Sequence, residues 1–420
     1  MKILGLVTEY NPFHNGHLYH LVKSKEVTNS THTIAVMSGN FLQRGEPSLL
    51  HKWARAEMAV KNGVDLIVEL PTAYACSSAE FFARGAVSLL ESLKVVDCIS
   101  FGSEKGEISL LSTIADIINT APPQYTYELK QSIKKGNSFP TARSHAIAKY
   151  IAANQDIYPR IRFDDVIDII KSPNNILSIE YLKAIKSINS NITPYTIKRI
   201  ASHYHSTSIT SNIASATAIR EHLKNEVDMN KIQNVIPDLS YQIFNSYLKD
   251  GLSPIFIENL QEMIFTIIRR STPNELIDFF DVVEGLENKL YKCGITNNDI
   301  NDFLECANSK RYTITRIKRI LIHILLNFKK SDFIRYNNYA PPYARVLAFN
   351  NKGREILKLC KTTSNIPIIN KLSKYKPETS IAQEVLNLDI RATNIYSLLL
   401  NCSNVSSKQL DYLVSSIFIK

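Results

Sequence analysis

The 420-residue chain contains no apolar run near the roughly 18 residues needed to cross a bilayer. Its opening stretch MKILGLV is broken by Glu9 and lacks a small-residue cleavage site, so neither a membrane span nor a signal peptide is expected, and the protein reads as cytoplasmic. The six cysteines (Cys76, Cys98, Cys293, Cys306, Cys360 and Cys402) form no C-x-x-C pair. That spacing argues against a zinc ribbon or a disulfide scaffold and leaves them as buried thiols. There is no internal repeat, no low-complexity tract and no H-E-x-x-H sequence. Apolar residues at 45% and charged residues at 21% lie close to the globular average, which excludes extensive disorder and fibrous architecture. The length predicts two or three domains of about 150 residues each.

Positive charge is in excess: 49 Lys and Arg against 39 Asp and Glu give a net charge of +10. This favours a polyanionic partner without naming one. The basic residues gather between Lys310 and Arg354, where Arg311, Arg316, Lys318, Arg319, Lys329, Lys330, Arg335 and Arg345 are interleaved with Tyr312, Tyr336, Tyr339 and Tyr343. Either an RNA-facing surface or a solvated face fits that pattern.

From residue 1 to about 105, the runs ILGLV, HTIAVMSG, DLIVELP and DCISFGS alternate with segments of 3.6-residue periodicity. The alternation predicts α/β architecture, a Rossmann-like parallel sheet with crossover helices. One helix ends on Gly63 and the next opens at Ser77 and Ser78. Residues 106 to 170 read as a helical insertion broken at Pro122 and Pro123. The α/β pattern then resumes with a helix in SPNNILSIEYLKAIKS, a strand in TPYTIKRI and a helix from SATAIREHLKN, closing a first domain over 1–225. Residues 226–420 show helical spacing and no comparable strand series, which predicts a mainly α-helical, basic second domain.

The stretch EYNPFHNGHLYHL follows the first strand, where open α/β sheets bind ligands and the next helix offers free N–H groups to an anion. Pro12 stiffens the entrance, Asn11 and Asn15 suit a turn, and Gly16 permits close approach. His14 and His17, three apart, reach one side of a turn entering a helix. Two imidazoles there can donate to oxygens that gain charge during displacement at a phosphate. The bland alternative is that they cap the helix. A metal held by His14, His17 and His20 is disfavoured, since no carboxylate or thiolate stands at ligand spacing.

Strand, NPFHNGH and helix together resemble the H-x-G-H signature of the nucleotidyltransferase superfamily. The segments EYNPFHNGH, MSGNFLQRGEPS, DLIVELP, SAEFFARGAV, FGSE, SPNNIL, TIKR, ASATAIR and ARVLAFNNKGREIL resemble, over nearly the whole chain, the bacterial tRNA(Met) cytidine acetate ligase family. The resemblance implies an enzyme that activates acetate with ATP to acetyl-adenylate, with Mg²⁺ on the polyphosphate. It then acetylates the wobble cytidine of elongator tRNA(Met) to N4-acetylcytidine.

By the same resemblance, ATP is wrapped by Val7, Thr8, Glu9, Tyr10, Asn11, Pro12, Phe13, His14, Asn15, Gly16, His17, Leu18, Tyr19 and His20, with His14 and His17 catalytic. Gly102, Asn174 and Arg199 complete the nucleotide site, although each also reads as a turn glycine, a helix cap or a surface arginine. Ser215, Thr217 and Arg220 of ASATAIR match a second signature that holds phosphates, or else simply start a helix. Arg316, Lys318, Arg319, Lys329 and Lys330 are candidates for tRNA. Asn40, Gln43 and Arg44 stand where acetate or cytidine would be oriented, with roles unassigned. Family glycines are replaced by Ser178, Ala201 and His203, which alters the backbone expected near Arg199. The rival readings are a small-molecule adenylyltransferase of the same superfamily and a noncatalytic RNA-binding protein whose loop senses ATP.

Overall fold

The structure is a computed structural model describing residues 1–159, 161–199, 214–226, 228–283, 285–400 and 409–420. Ala201, His203 and Cys402 lie outside the described residues. Among the described residues eight strands form one sheet: β1 (Ile3–Thr8), β2 (His32–Ser38), β3 (Leu66–Leu70), β4 (Cys98–Ser103), β5 (Thr193–Lys198), β6 (Ala344–Phe349), β7 (Ile368–Ile369) and β8 (Ile417–Phe418). The order is β5-β4-β1-β2-β3-β6-β7, with β8 also on β6. β1 to β5 pair in parallel, as alternating apolar runs and crossover helices predict. β1 to β4 are buried almost throughout, which is why they read as near-continuous apolar runs, whereas β5 at the sheet edge is largely half-buried or exposed.

The crossover from β1 is α1 (Asn15–Thr28), and β2 leads to α2 (Lys52–Lys61), beyond which Gly63 takes a φ of 103°. The expected insertion is helical throughout, in Ile108–Thr120, Pro123–Lys134, Phe139–Ala153 and Phe163–Lys171, and Pro122 and Pro123 separate the first two. Ser78 stands at the N-cap of the helix Ala79–Ser92 without a side-chain cap bond.

Two expectations about the second half need correction. Residues from 229 to 337 are helical as the spacing implies, yet β6 then returns to the first sheet and pairs antiparallel with β3, followed by β7 and β8. An apolar six-residue run of this kind is ambiguous between strand and helix until its partner edge is known. Secondly, Cys293 and Cys306 are not free thiols but form a disulfide, with Cα atoms 5.9 Å apart. The helices Leu286–Thr296 and Ile300–Ala307 fold back on each other, bringing together residues whose spacing of 13 matches no motif. Cys76, Cys98 and Cys360 are buried thiols as expected. Among the described residues no helix is long and apolar enough to cross a membrane.

A buried ionic cluster fastens the C-terminal segment to the sheet. Lys52 Nζ lies 2.8 Å from both Glu69 Oε1 and Asp411 Oδ1, and Arg345 Nη1 lies 2.7 Å from Asp411 Oδ1 and 3.4 Å from Glu69 Oε2. All four side chains are at most 4% exposed. Arg345, expected on a basic surface, is therefore an interior cation. Beside it Tyr343 Oη donates to Asp389 Oδ2 at 2.6 Å, and the Thr72 N–H donates to Asp389 Oδ1 at the same distance. Burial and the charge of Glu69 lift the Asp389 carboxyl to about 7.

Candidate active site

A cavity of about 540 Å³ opens at the carboxyl ends of β1, β4 and β5, a volume within the range of small-molecule sites. It sits where neighbouring crossovers leave in opposite directions, the expected ligand crevice of an open α/β sheet. After β1 the chain turns through Tyr10, whose φ is 46°, and a cis Asn11–Pro12 peptide into α1. His14 is the N-cap of α1: its Nδ1 accepts the Gly16 N–H at 3.0 Å. His17, at the third helical position, accepts the His14 N–H on its own Nδ1 at 3.3 Å. The rings face each other with centroids 3.8 Å apart.

Capping and ligand reach are therefore compatible. With each Nδ1 occupied as an acceptor, the ring hydrogen is carried by Nε2. Burial, then the charges of Arg199 and Arg220, push His14 down to about 3. Burial and the neighbours His14, Arg199 and His20 hold His17 well below its ordinary value, against an opposing contact with the Pro12 backbone. Burial and Arg199 bring His20 down to about 4. These rings are neutral donors at pH 7, each costing little to keep in a site that also holds guanidinium groups.

That neutrality has a consequence for stability. Unfolded histidine titrates near about 6.5, so between that pH and the depressed native values the unfolded chain binds more protons than the folded one, and stability rises with pH. His51, the N-cap of α2, is also pushed down to about 3, by burial and then Arg55 and Lys52. The contribution of these rings is present above pH 6.5 and lost on acidification toward 4. Asp389, lifted to about 7, works the other way over the same range, but it is one group against four rings. The denaturant midpoint is therefore expected to be lower at pH 5 than at pH 7, and an equal or higher midpoint at pH 5 would contradict the neutral-ring assignment.

On the β4 side, Gly102 leaves room that a Cβ would take: one built there falls 3.3 Å from Arg199 Cγ. Asn174 is not the cap of its helix, which spans Pro173–Ser187 with Ser172 at the N-cap. Its amide instead donates to Glu104 Oε1 at 2.7 Å and accepts from Arg199 Nη1 at 3.4 Å. Ser178 donates its hydroxyl to the Asn174 carbonyl at 2.8 Å, so it is satisfied within its own helix. Asn175 is buried and accepts the Glu104 N–H.

On the other side, Ser215 caps the helix Ala216–Asn225 by accepting the Ala218 N–H at 3.0 Å, while it and Thr217 line the cavity. Arg220 donates to the Asn11 carbonyl and to Thr217 Oγ1, both at 3.3 Å. Thr8 Oγ1 is buried on the cavity wall beside the Tyr10 hydroxyl.

Val7, Thr8, Glu9, Tyr10, His14, Gly16, His17, Tyr19, His20, Gly102, Asn174, Arg199, Ser215, Thr217 and Arg220 all line the cavity, as do Gln43 and Arg44. Five of the expected residues do not. Asn11 accepts the Leu49 N–H, Asn15 donates to the Asn234 carbonyl, Phe13 and Leu18 pack in the core, and Pro12 shapes the turn. Asn40 is buried away from the cavity, accepting the Lys52 N–H.

Sequence reasoning missed two supports. Arg55, fully buried, donates to the carbonyls of Glu9, Ser38, Gly39 and Leu50, tying the ends of β1 and β2 together. Nothing marks it in sequence except its place one turn into an amphipathic helix. The second is the contact between Gly45 and the helix Ile314–Leu325. With φ at 73°, Gly45 lies so close that a Cβ would fall 2.2 Å from the Arg319 nitrogen.

That contact relocates the basic candidates. Lys318 Nζ is 2.6 Å from Glu46 Oε1, Glu46 Oε2 is 3.9 Å from Arg220 Nε, and Thr315 reaches the cavity. Arg316 pairs with Asp281 at 3.2 Å, and Arg319, 8% exposed, lies 3.8 Å from the same carboxylate. Lys329 Nζ stands 3.6 Å over the Phe279 ring, with Lys330 opening the next helix. Arg316, Lys318 and Arg319 are thus engaged within the chain and do not form an open basic face. Glu46→Gln, which weakens the tether between Lys318 and Arg220, is expected to weaken binding of the cavity's ligand by about 3–10-fold, read from a binding titration.

A His-x-Gly-His loop whose rings cap a helix and face a cavity at the sheet's switch point defines a nucleotidyl transferase. Residues 1–411 match the family described as HIGH Nucleotidyl Transferase. The chain is 48% identical over 423 residues to the tRNA(Met) cytidine acetate ligase of Alkaliphilus metalliredigens, covering 100% of this chain and 99% of that one. It is 44% identical to the enzyme of that name from Clostridium perfringens strain SM101, covering all of both. Thermotoga maritima TmcAL bound with alpha-thio ATP superposes with a TM-score of 0.92 over the whole of both chains at 36% identity. The chain belongs to the tRNA(Met) cytidine acetate ligase family of HIGH nucleotidyl transferases.

Proposed function

We propose that this chain is an ATP-dependent ligase that activates acetate as acetyl-adenylate and transfers the acetyl group to the wobble cytidine of elongator tRNA(Met) in the cytoplasm. The observation that carries the reading is the facing pair of neutral imidazoles at the α1 N-terminus, beside Arg220 and Ser215. An acetate oxygen attacks the α-phosphorus of ATP and pyrophosphate leaves. Charge that grows on the phosphate oxygens meets the Nε2–H groups of His14 and His17, the α1 N-terminus and Arg220, donors already in place before reaction. The adenine and ribose lie toward Gly102, Asn174 and Arg199, where the backbone is open.

The cavity's carboxylates, Glu9 and Glu46, are engaged by the Gln43 N–H and by Lys318. A Mg²⁺ ion would enter with the nucleotide rather than at a site of its own on these carboxylates, and would supply neutralisation of the polyphosphate charge. In the second half-reaction the cytidine amine attacks the acetyl carbonyl and AMP departs. The helical half with its exposed lysines and arginines is the part proposed to hold tRNA, and Lys329 and Lys330 remain its better candidates.

The test is incubation of the chain with ATP and labelled acetate, with and without tRNA, followed by mass analysis of nucleosides. Acetate-dependent AMP and N4-acetylcytidine are expected. A labelled small-molecule product formed equally without tRNA would favour the adenylyltransferase reading, and nucleotide binding without pyrophosphate release the noncatalytic one.

A further inference from the structure

We infer that Glu9 accepts the proton released when the cytidine amine attacks the acetyl group, an assignment that deepens the proposed function and rests on it. In that step a bond forms between the exocyclic nitrogen and the carbonyl carbon. The bond from that carbon to the phosphate-bound oxygen breaks, and the oxygen leaves on AMP with the electron pair. One hydrogen of the amine must also go. Its nitrogen lone pair is delocalised into the pyrimidine ring, so a base that takes the proton as the new bond forms contributes most here.

The cavity holds few groups able to receive it. His14 and His17 have their acceptor nitrogens occupied by backbone N–H groups, which leaves each ring a donor on its free side. His20 stands on the far wall beside Gly102, where the nucleotide is placed. Glu46 is held by Lys318 at 2.6 Å and faces Arg220. Glu9 remains, at the tip of β1 on the wall between the histidine loop and the Leu42–Glu46 turn. Its Oε1 accepts the Gln43 N–H at 2.7 Å, which fixes the carboxylate in orientation. A carboxylate is also the side chain that pairs with the exocyclic amine of cytosine. The oxygen that receives the amine hydrogen bond on docking is then the one that receives the proton.

The test supplies synthetic acetyl-adenylate and tRNA(Met) at saturation to the full chain, so that ATP chemistry is bypassed, and follows acetylation of cytidine by mass. Glu9→Gln keeps an acceptor for the Gln43 N–H and is expected to slow transfer by about 10²–10⁴-fold. Glu9→Ala is expected to be equally slow and to recover by about tenfold or more when formate is added, because a small carboxylate can enter the space and act as the base. A purely structural role would give no such recovery. Transfer by Glu9→Gln within threefold of the wild-type rate, or a Glu9→Ala chain indifferent to formate, overturns the assignment. Absence of transfer by the wild-type chain overturns the proposed function and this inference together.

Discussion

Replacing His17 with alanine is expected to lower acetate-dependent conversion of ATP to AMP and pyrophosphate by about 10²–10³-fold, the usual loss for one preorganised donor to a charge that develops in the transition state. The expected loss is in kcat, since the donor meets charge that the ground state has not yet built. The ring also accepts the His14 N–H, and losing that cap contact costs about 0.5–2 kcal/mol of stability. In a chain of this size that leaves the fold populated, so a near-native circular dichroism spectrum should accompany the lost turnover. A variant that turns over within a few-fold of wild type removes the histidine pair from the mechanism.

The second large effect concerns stability. Asp411→Ala leaves Lys52 and Arg345 sharing Glu69 in an interior that excludes water, and breaking a buried pair from one side typically costs about 3–5 kcal/mol. Burial alone would raise the Asp411 carboxyl, but Lys52 and Arg345 more than offset it and hold it below the ordinary value. Trp53, the sole tryptophan, is 3% exposed with Lys52 Nζ 5.0 Å from its ring. Its fluorescence therefore reports on the cluster directly. The denaturant midpoint of Asp411→Ala should drop with the slope unchanged; a change below about 1 kcal/mol would mean that the remaining charges find other partners.

The parallel half of the fold was legible because β1 to β4 are buried almost throughout and helices such as Ala79–Ser92 carry an apolar face; α1 has little such period and was legible from its turn residues and cap instead. The histidine loop was legible for a similar reason: strand, turn residues and helix start fall together within 20 residues. What stayed hidden depends on distant partners. The run ARVLAF before Asn350 did not stand out as a strand among the helical spacings around it, yet it forms β6, and Asn350 caps the helix that follows. Nothing local says that it runs antiparallel to β3. Gly353 was equally silent, although a Cβ there would fall 2.0 Å from the Asp65 carbonyl oxygen.

The basic run from 310 to 354 shows the reverse failure. Charge density was visible, but burial was not, and Arg345, Arg319, Arg316 and Lys318 turned inward to carboxylates more than 25 residues away. Charge reversal at Arg316 or Lys318 would therefore disturb the Glu46 tether as well as any RNA contact. Lys329 and Lys330 make cleaner probes of tRNA affinity and its salt dependence. At the site itself the opposite held for His14, where capping and phosphate contact had looked like competing explanations. The ring does the first with Nδ1 and offers Nε2 for the second.

The antiparallel return of β6 imposes an order on synthesis. As the chain leaves the ribosome, the first three strands and both signature loops emerge long before residues 344–349, so the Leu66–Leu70 edge stays raw for more than half of translation. A nascent chain that has finished its nucleotide pocket is still open to edge-to-edge association, and any chaperone that shields it must act until the last fifth of the polypeptide arrives.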